Sequence, residues 1–174
     1  MSGGSIIVLA ILVFAGVTIF KGVRIVPQGY KWIVQRLGKY HTTLTPGLSF
    51  VIPYVDEVAY KVTTKDIVMD IPSQEVITRD NAVLLMNAMA YINITTPEKA
   101  VYGIENYTWA IQNLVQTSLR SIVGEMDLDD ALSSRDHIKA KLKAAISDDI
   151  SDWGITLKTV EIQDIQPSST MQSA

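Results

Sequence analysis

At 174 residues, with 48 % of them hydrophobic, the chain is long enough for one ordinary domain or two small ones and apolar enough to bury a core. It contains no cysteine, which excludes disulfides, thiolate zinc sites and a cysteine nucleophile, and leaves His41 and His137 as the only imidazoles. The net charge of −3 is unevenly laid: residues 1–55 carry Lys21, Arg24, Lys31, Arg36 and Lys39 and no acid, while the remainder sets ten basic groups against eighteen acidic ones, which fits an anionic membrane surface near the N-terminus and argues against a nucleic-acid-binding body.

The first twenty residues hold no charged side chain, and SIIVLAILVFAGVTIF (5–20) is almost wholly aliphatic. As a helix rising about 1.5 Å per residue, such a segment reaches roughly 30 Å, the thickness of a hydrocarbon core. A cleaved signal peptide would carry Lys or Arg ahead of the apolar run and a small-x-small site after it, and a buried core helix would show a polar face. Neither signature is present, so residues 1–23 read as a membrane anchor, with Ile6, Leu9, Leu12, Phe14, Ile19 and Phe20 facing lipid. All nearby positive charge follows the span, which predicts an external N-terminus and a cytoplasmic body, with Lys21 and Arg24 at the headgroups.

Residues 24–95 alternate short aromatic and β-branched runs such as YKWIVQR and VAYKVTT with glycine and proline breaks, a β-rich first subdomain. Within it LTPGLSFVIPYV (44–55) contains two prolines that forbid a long regular element. Two readings stand side by side: a core strand, or a loop in which Leu44, Leu48, Phe50, Ile52 and Tyr54 lean into the near leaflet as a second membrane contact. In VITRDNAVLLMNAMAYINI (76–94) two apolar strands flank Asp80-Asn81. Both residues tolerate the left-handed backbone of a tight hairpin, and no histidine, cysteine or second carboxylate stands nearby in sequence to make Asp80 reactive.

At Thr96 the texture changes, and residues 96–174 read as an α/β second subdomain. Thr96-Pro97-Glu98 starts a short helix ending near Gly103. The stripe at 111, 114, 115, 119, 122, 123 and 126 predicts an amphipathic helix stopped by Gly124. Asp127 is placed to cap a turn through LDDAL, and Ser133 or Ser134 to cap a longer helix with Ile138, Leu142, Ala145, Ile146, Ile150 and Trp153 on one face and Gly154 at its end. ITLKTVEIQDI then alternates as a strand whose apolar set shifts between Leu157 and Val160, predicting a bulge.

Catalytic patterns are wanting. Ser133, Ser134, Asp136 and His137 are neighbours in sequence, but as cap residues and a first-turn histidine they do not build the oriented geometry of a hydrolase triad. The two histidines lack metal-site spacing, EMDLDD lacks the DxDxDG loop of a calcium site, and no GxGxxG or P-loop lysine is present; no cofactor or metal is expected. Asn93-Ile94-Thr95 and Asn106-Tyr107-Thr108 match the glycosylation pattern, which matters only for a lumenal body.

VPQGYKWIVQRLGKYHTTLTPGLSFVIPYVDEV, DIPSQEVITRDNA, NLVQTSLRSIVGEMDLDDALSSRDHI and DWGITLKTVEIQDI, in this order over most of residues 24–166, resemble the stomatin/prohibitin/flotillin/HflK-C family, the SPFH or band-7 domain, in its bacterial slipin/stomatin-like branch. The resemblance implies an α+β fold anchored in the plasma membrane, the inner membrane of a bacterium. It also implies a non-enzymatic scaffold that forms large rings or cages and organises lipid microdomains, with a membrane protease of the FtsH type or an NfeD-type protein as partner. Regulation of such a protease is the second function it implies. A long charged helical or coiled-coil region is expected to follow STMQSA, making this chain a piece of a longer protein. For oligomer contacts, the acids Glu125, Asp129 and Asp130 stand against Lys139, Lys141 and Lys143 of the long helix, a pairing that competes with plain solvation of both stripes.

Overall fold

The computed structural model describes residues 2–168, so Met1 of the anchor and the STMQSA tail lie outside the described residues. The chain divides into two compact units, Met1–Thr64 and Lys65–Ala174. The first begins with helix α1 (Gly3–Gly22), which continues without a break into strand β1 (Val23–Val26). There follow β2 (Tyr30–Arg36), β3 (Lys39–Leu44), β4 (Gly47–Phe50) and β5 (Asp56–Thr63). β1 pairs antiparallel with β4 as a two-stranded ribbon, and β2 lies between β3 and β5 in a second sheet. The core of this unit is small: Val26, Val34, Leu44 and Val51 are buried together, with Trp32 and Val58 packed against them.

The second unit is one antiparallel sheet, ordered β6 (Ile67–Ile77), β7 (Val83–Ile94) and β8 (Ile155–Pro167), with four helices inserted between β7 and β8. Along β7 every second residue from Leu84 to Ile94 is buried, the period of a strand with one face on a core. That face is covered by α3 (Tyr107–Gly124), which packs on β6, and α5 (Arg135–Ser151), which packs on β8 and on α3. Ile111, Val115, Leu119, Ile122 and Val123 of α3 and Ile138, Leu142, Ile146 and Ile150 of α5 are the buried stripes. Short helices α2 (Pro97–Tyr102) and α4 (Leu128–Ser133) complete the crossover.

The division at residue 64 replaces the one expected near residue 95. Composition changes where strand gives way to helix, but β7 pairs with β8 along its whole length, so the hairpin β6–β7 belongs to the helical unit. The bulge expected in β8 is present: Tyr91 faces Thr159 and Ile92 faces Leu157, leaving Lys158 over, and a second shift leaves Gln163 over between the partners of Asn87 and Ala88. On α5 the buried residues step by four, so Ala145 falls on the flank of the stripe and is exposed, while Trp153 lies half-buried beyond the helix end at Ser151.

Capping also departs from expectation. Thr96, Asp127 and Ser134 occupy N-cap positions, but none makes a side-chain cap bond. Asn106 instead caps α3, its Oδ1 accepting the Trp109 amide at 3.1 Å. Gly154 ends the α5 turn at φ +68, where an added Cβ would strike the Thr96 carbonyl oxygen, and its own carbonyl accepts the amides of Thr95 and Thr96 at 2.8 and 2.9 Å.

The face assignment on α5 has a direct check. Leu142→Ala, at a fully buried position, is expected to cost about 2–5 kcal/mol in urea unfolding, whereas Ala145→Ser, on the exposed flank, should stay within about 0.5 kcal/mol of wild type.

Candidate membrane interface

α1 is long and apolar enough to cross a membrane, and none of that span is buried within the protein. All six lipid-facing residues expected from the sequence, Ile6, Leu9, Leu12, Phe14, Ile19 and Phe20, are exposed. A helix so placed has no core to serve. Lys21 lies in its last turn, favourably oriented to the helix dipole, and Arg24 follows in β1, both exposed.

The antiparallel register of β1 and β4 sets Val23 opposite Phe50 and Ile25 opposite Leu48. Directly opposed residues, and residues two apart on one strand, share a face, so these four side chains form one apolar face of the ribbon. Ile25 is 70 % exposed, Leu48 77 % and Phe50 58 %, which is costly in water and natural in a bilayer interface. Beyond Phe50 the chain turns along the helix. The Val51 amide donates to the Gly22 carbonyl at 2.8 Å, and the Phe50 ring lies over Gly22, where a Cβ would come within 2.7 Å of its Cζ. Tyr54 stacks on Phe14 with ring centroids 6.5 Å apart. Phe14 stands eight residues inside the helix end, so the loop reaches about 12 Å along the apolar helix. Tyr54 does this at φ +71, a left-handed backbone that costs a non-glycine residue about 1–2 kcal/mol.

Of the residues proposed for the membrane-dipping loop, Leu48, Phe50, Ile52 and Tyr54 are exposed, but Leu44 is not. It is 8 % exposed and packs in the small core with Val51, because Leu44 ends β3 while Leu48 belongs to β4, a separate strand begun after the Pro46-Gly47 break. The core reading fits Leu44, while Leu48, Phe50, Ile52 and Tyr54 are left on the surface. Leu37, which sequence reasoning passed over, is 82 % exposed at φ +50 on the two-residue turn between β2 and β3, and its amide donates to the Val55 carbonyl at 3.2 Å. A leucine in place of the usual Asn or Asp before Gly38 was the available signal.

The base of the loop is clamped electrostatically. Arg36 Nε and Nη2 donate to the Asp56 carboxylate at 2.7 and 3.1 Å, and the Ile52 amide donates to Asp56 Oδ2 at 3.0 Å. The Arg36 guanidinium, aided by the Ile52 amide and opposed by burial, pushes the Asp56 carboxyl down to about 2.

The other singled-out residues lie in the second unit. The Thr78 hydroxyl donates to Asp80 Oδ1 and accepts the Ala82 amide at 3.0 Å, closing the turn, in which Asn81 alone takes the left-handed backbone at φ +62. Arg79 pairs with Asp127 at 2.6 Å, and its amide donates to the Met126 carbonyl at 2.9 Å. The Leu128 amide reaches Asp80 Oδ1 at 3.3 Å, so Asp80 takes the capping role at α4 expected of Asp127. The Thr78 hydroxyl first, and then the Leu128 amide, hold the Asp80 carboxyl below the usual carboxylate range. Ser133 Oγ donates to the Asp129 carbonyl at 2.8 Å and His137 is exposed in the first turn of α5, so no triad geometry is assembled. Glu125, Asp129 and Asp130 are exposed, whereas Lys139 pairs within the chain with Glu161 at 2.8 Å and Lys143 Nζ donates to the Lys158 carbonyl at 3.3 Å. Asn93 donates to Asp66 at 3.0 Å, so both carboxamides of the glycosylation triplets are engaged structurally.

Together these features define an α+β protein whose N-terminal apolar helix passes directly into an apolar-faced β-ribbon. Residues 24–174 match the SPFH domain / Band 7 family, and the chain belongs to that family. It is similar to an uncharacterised protein of Methanothermobacter thermautotrophicus, 38 % identical over 97 % of this chain and 52 % of the relative. An uncharacterised protein of Mycobacterium tuberculosis is 33 % identical over 98 % of this chain and 45 % of its own length. The mitochondrial stomatin-like protein 2 of Homo sapiens is 38 % identical over 80 % of this chain and 39 % of its own. The chain thus spans about half the length of these microbial relatives.

The Asp56 clamp predicts a pH dependence. Its carboxyl sits near 2 in the folded protein against an ordinary 3.8, so its contribution is full above about pH 5 and is lost as pH falls toward 2. The stability difference between wild type and Asp56→Asn, followed through Trp32 fluorescence in a Trp109→Phe, Trp153→Phe background, should therefore shrink over that window and stay constant above it.

Proposed function

We propose that the protein is a single-pass membrane scaffold of the stomatin-like class, with its N-terminus outside and its folded units in the cytoplasm, which assembles with copies of itself and organises lipids and membrane proteins laterally. The observation that carries this reading is the apolar face formed by Val23, Ile25, Leu48 and Phe50, continuous with a fully exposed apolar helix and extended by Ile52 and Tyr54. A tether alone needs only the helix. A second apolar contact fixes the orientation of the first unit against the bilayer, which supports an ordered two-dimensional array over a freely swinging domain. Membership of the SPFH domain / Band 7 family supports the same reading, as does the placement of positive charge after the span. The exposed acids Glu125, Asp129 and Asp130 remain the surface proposed for contacts between copies, with the exposed Lys141 better placed than Lys139, which has an acid of its own. The role is not catalytic, and hydrolase activity lost on replacing Ser133, Ser134 or His137 with Ala would overturn that part.

Two measurements test the proposal. With a fluorophore on a cysteine introduced at Ser49, Leu48→Glu and Phe50→Glu are expected to reduce quenching by bilayer probes in folded protein; unchanged quenching removes the loop from the membrane. Imaging of the full-length protein extracted with native lipid is expected to show particles of many copies. A monodisperse monomer would sink the scaffold, and stoichiometric co-purification with an FtsH-type protease or NfeD-type protein would replace it with protease regulation.

A further inference from the structure

At the foot of α1 the structure holds a groove of about 740 Å³. Phe20 and Lys21 come to it from the last turn of the helix, Arg24 and Ile25 from β1, Trp32 from β2 and Lys61 from β5. Its lining contains three cations and no acid, although the protein as a whole is acidic. Trp32 and Lys61 are cross-strand partners, and the Lys61 ammonium lies 4.4 Å from the centroid of the Trp32 ring. A cation seated on an aromatic face is held in place with N–H groups still free to donate to an anion. The helix presents its carbonyl end here, which by itself repels negative charge, so attraction for an anion comes from the three side chains and not from the dipole.

We propose that this groove binds the headgroup of an anionic glycerophospholipid, with its phosphate among Lys21, Arg24 and Lys61 and its hydrocarbon along Phe20 and Ile25. Cations alone would suit any phosphate. The other half of the lining is apolar, and the groove opens where the apolar helix ends, so the ligand that satisfies both halves joins a phosphate to a hydrocarbon at that depth. Arginine supplies a forked donor to phosphate oxygens and the lysines supply point charges. The site rests on the reading of α1 as a membrane anchor and adds to it a choice among lipids.

The test reads Trp32 in the Trp109→Phe, Trp153→Phe background, in phosphatidylcholine nanodiscs doped at one mole fraction with either brominated phosphatidylglycerol or brominated phosphatidylcholine. The anionic lipid is expected to quench Trp32 more than the neutral one. Arg24→Gln and Lys61→Gln should each lower that preference about fivefold, the contribution of one basic group at an anionic surface, and Lys61→Arg should retain it. Equal quenching by the two lipids in the parent protein overturns the proposal without any variant being needed, as does a preference that survives Lys21→Gln, Arg24→Gln and Lys61→Gln together. Displacement of the brominated lipid by soluble glycerol 3-phosphate would assign the groove to a free phosphate ester instead. Flotation with pure phosphatidylcholine vesicles reports the anchor separately, so loss of headgroup choice with flotation intact condemns the groove alone.

Discussion

Because β1 begins at the residue after α1 and pairs antiparallel with β4, the returning strand has to run toward the helix and not away from it. From that one pairing follow the shared apolar face, the bond from Val51 to Gly22, and a loop that continues alongside the apolar span until Tyr54 meets Phe14. Gly22 is where the approach is closest, and any side chain there would occupy the space of the Phe50 ring and the Val51 carbonyl. The Arg36–Asp56 pair closes the far end, so the loop is held at both its exit and its return.

In the second unit a comparable economy of position appears at the β6–β7 turn. Thr78 closes the turn through Asp80 and Ala82, Arg79 reaches the α3–α4 connection through Asp127 and the Met126 carbonyl, and Asp80 does both, meeting Thr78 on one side and the Leu128 amide nearly fifty residues on. The polar cluster that stands out in VITRDNA is thus a junction between distant segments. Its acid is committed to the Thr78 hydroxyl and the Leu128 amide, which hold its carboxyl below the usual range and give it a structural role.

Much of this was legible because local chemistry wrote it. Twenty residues without a charge can be little but an apolar helix, the alternation of β7 shows its buried face directly, and the steps of three and four in α3 and α5 mark their stripes. Even the Lys158 bulge left a trace in the shifted apolar positions of β8. What escaped depends on partners far away in sequence. The unit boundary lies at Thr64 because β7 pairs with a strand more than sixty residues later, and no local signal records that choice. Leu44 and Leu48 look alike as letters, yet one faces the core and the other the outside, since a proline and a glycine between them reset the alternation. The caps failed for a similar reason: Asp127 had the right position for α4, but Arg79 claims its carboxylate and Asp80 does the capping.

The seamless passage from α1 into β1 also has a mechanical side. No residue separates helix from ribbon, and the joint is tied by the Val51–Gly22 hydrogen bond and the Phe50 ring packed over Gly22. Membrane helices adjust to bilayers of different thickness by tilting. With α1 as the proposed anchor, a tilt would carry the ribbon with the helix, and a change in hydrocarbon depth would become a rotation of the ribbon.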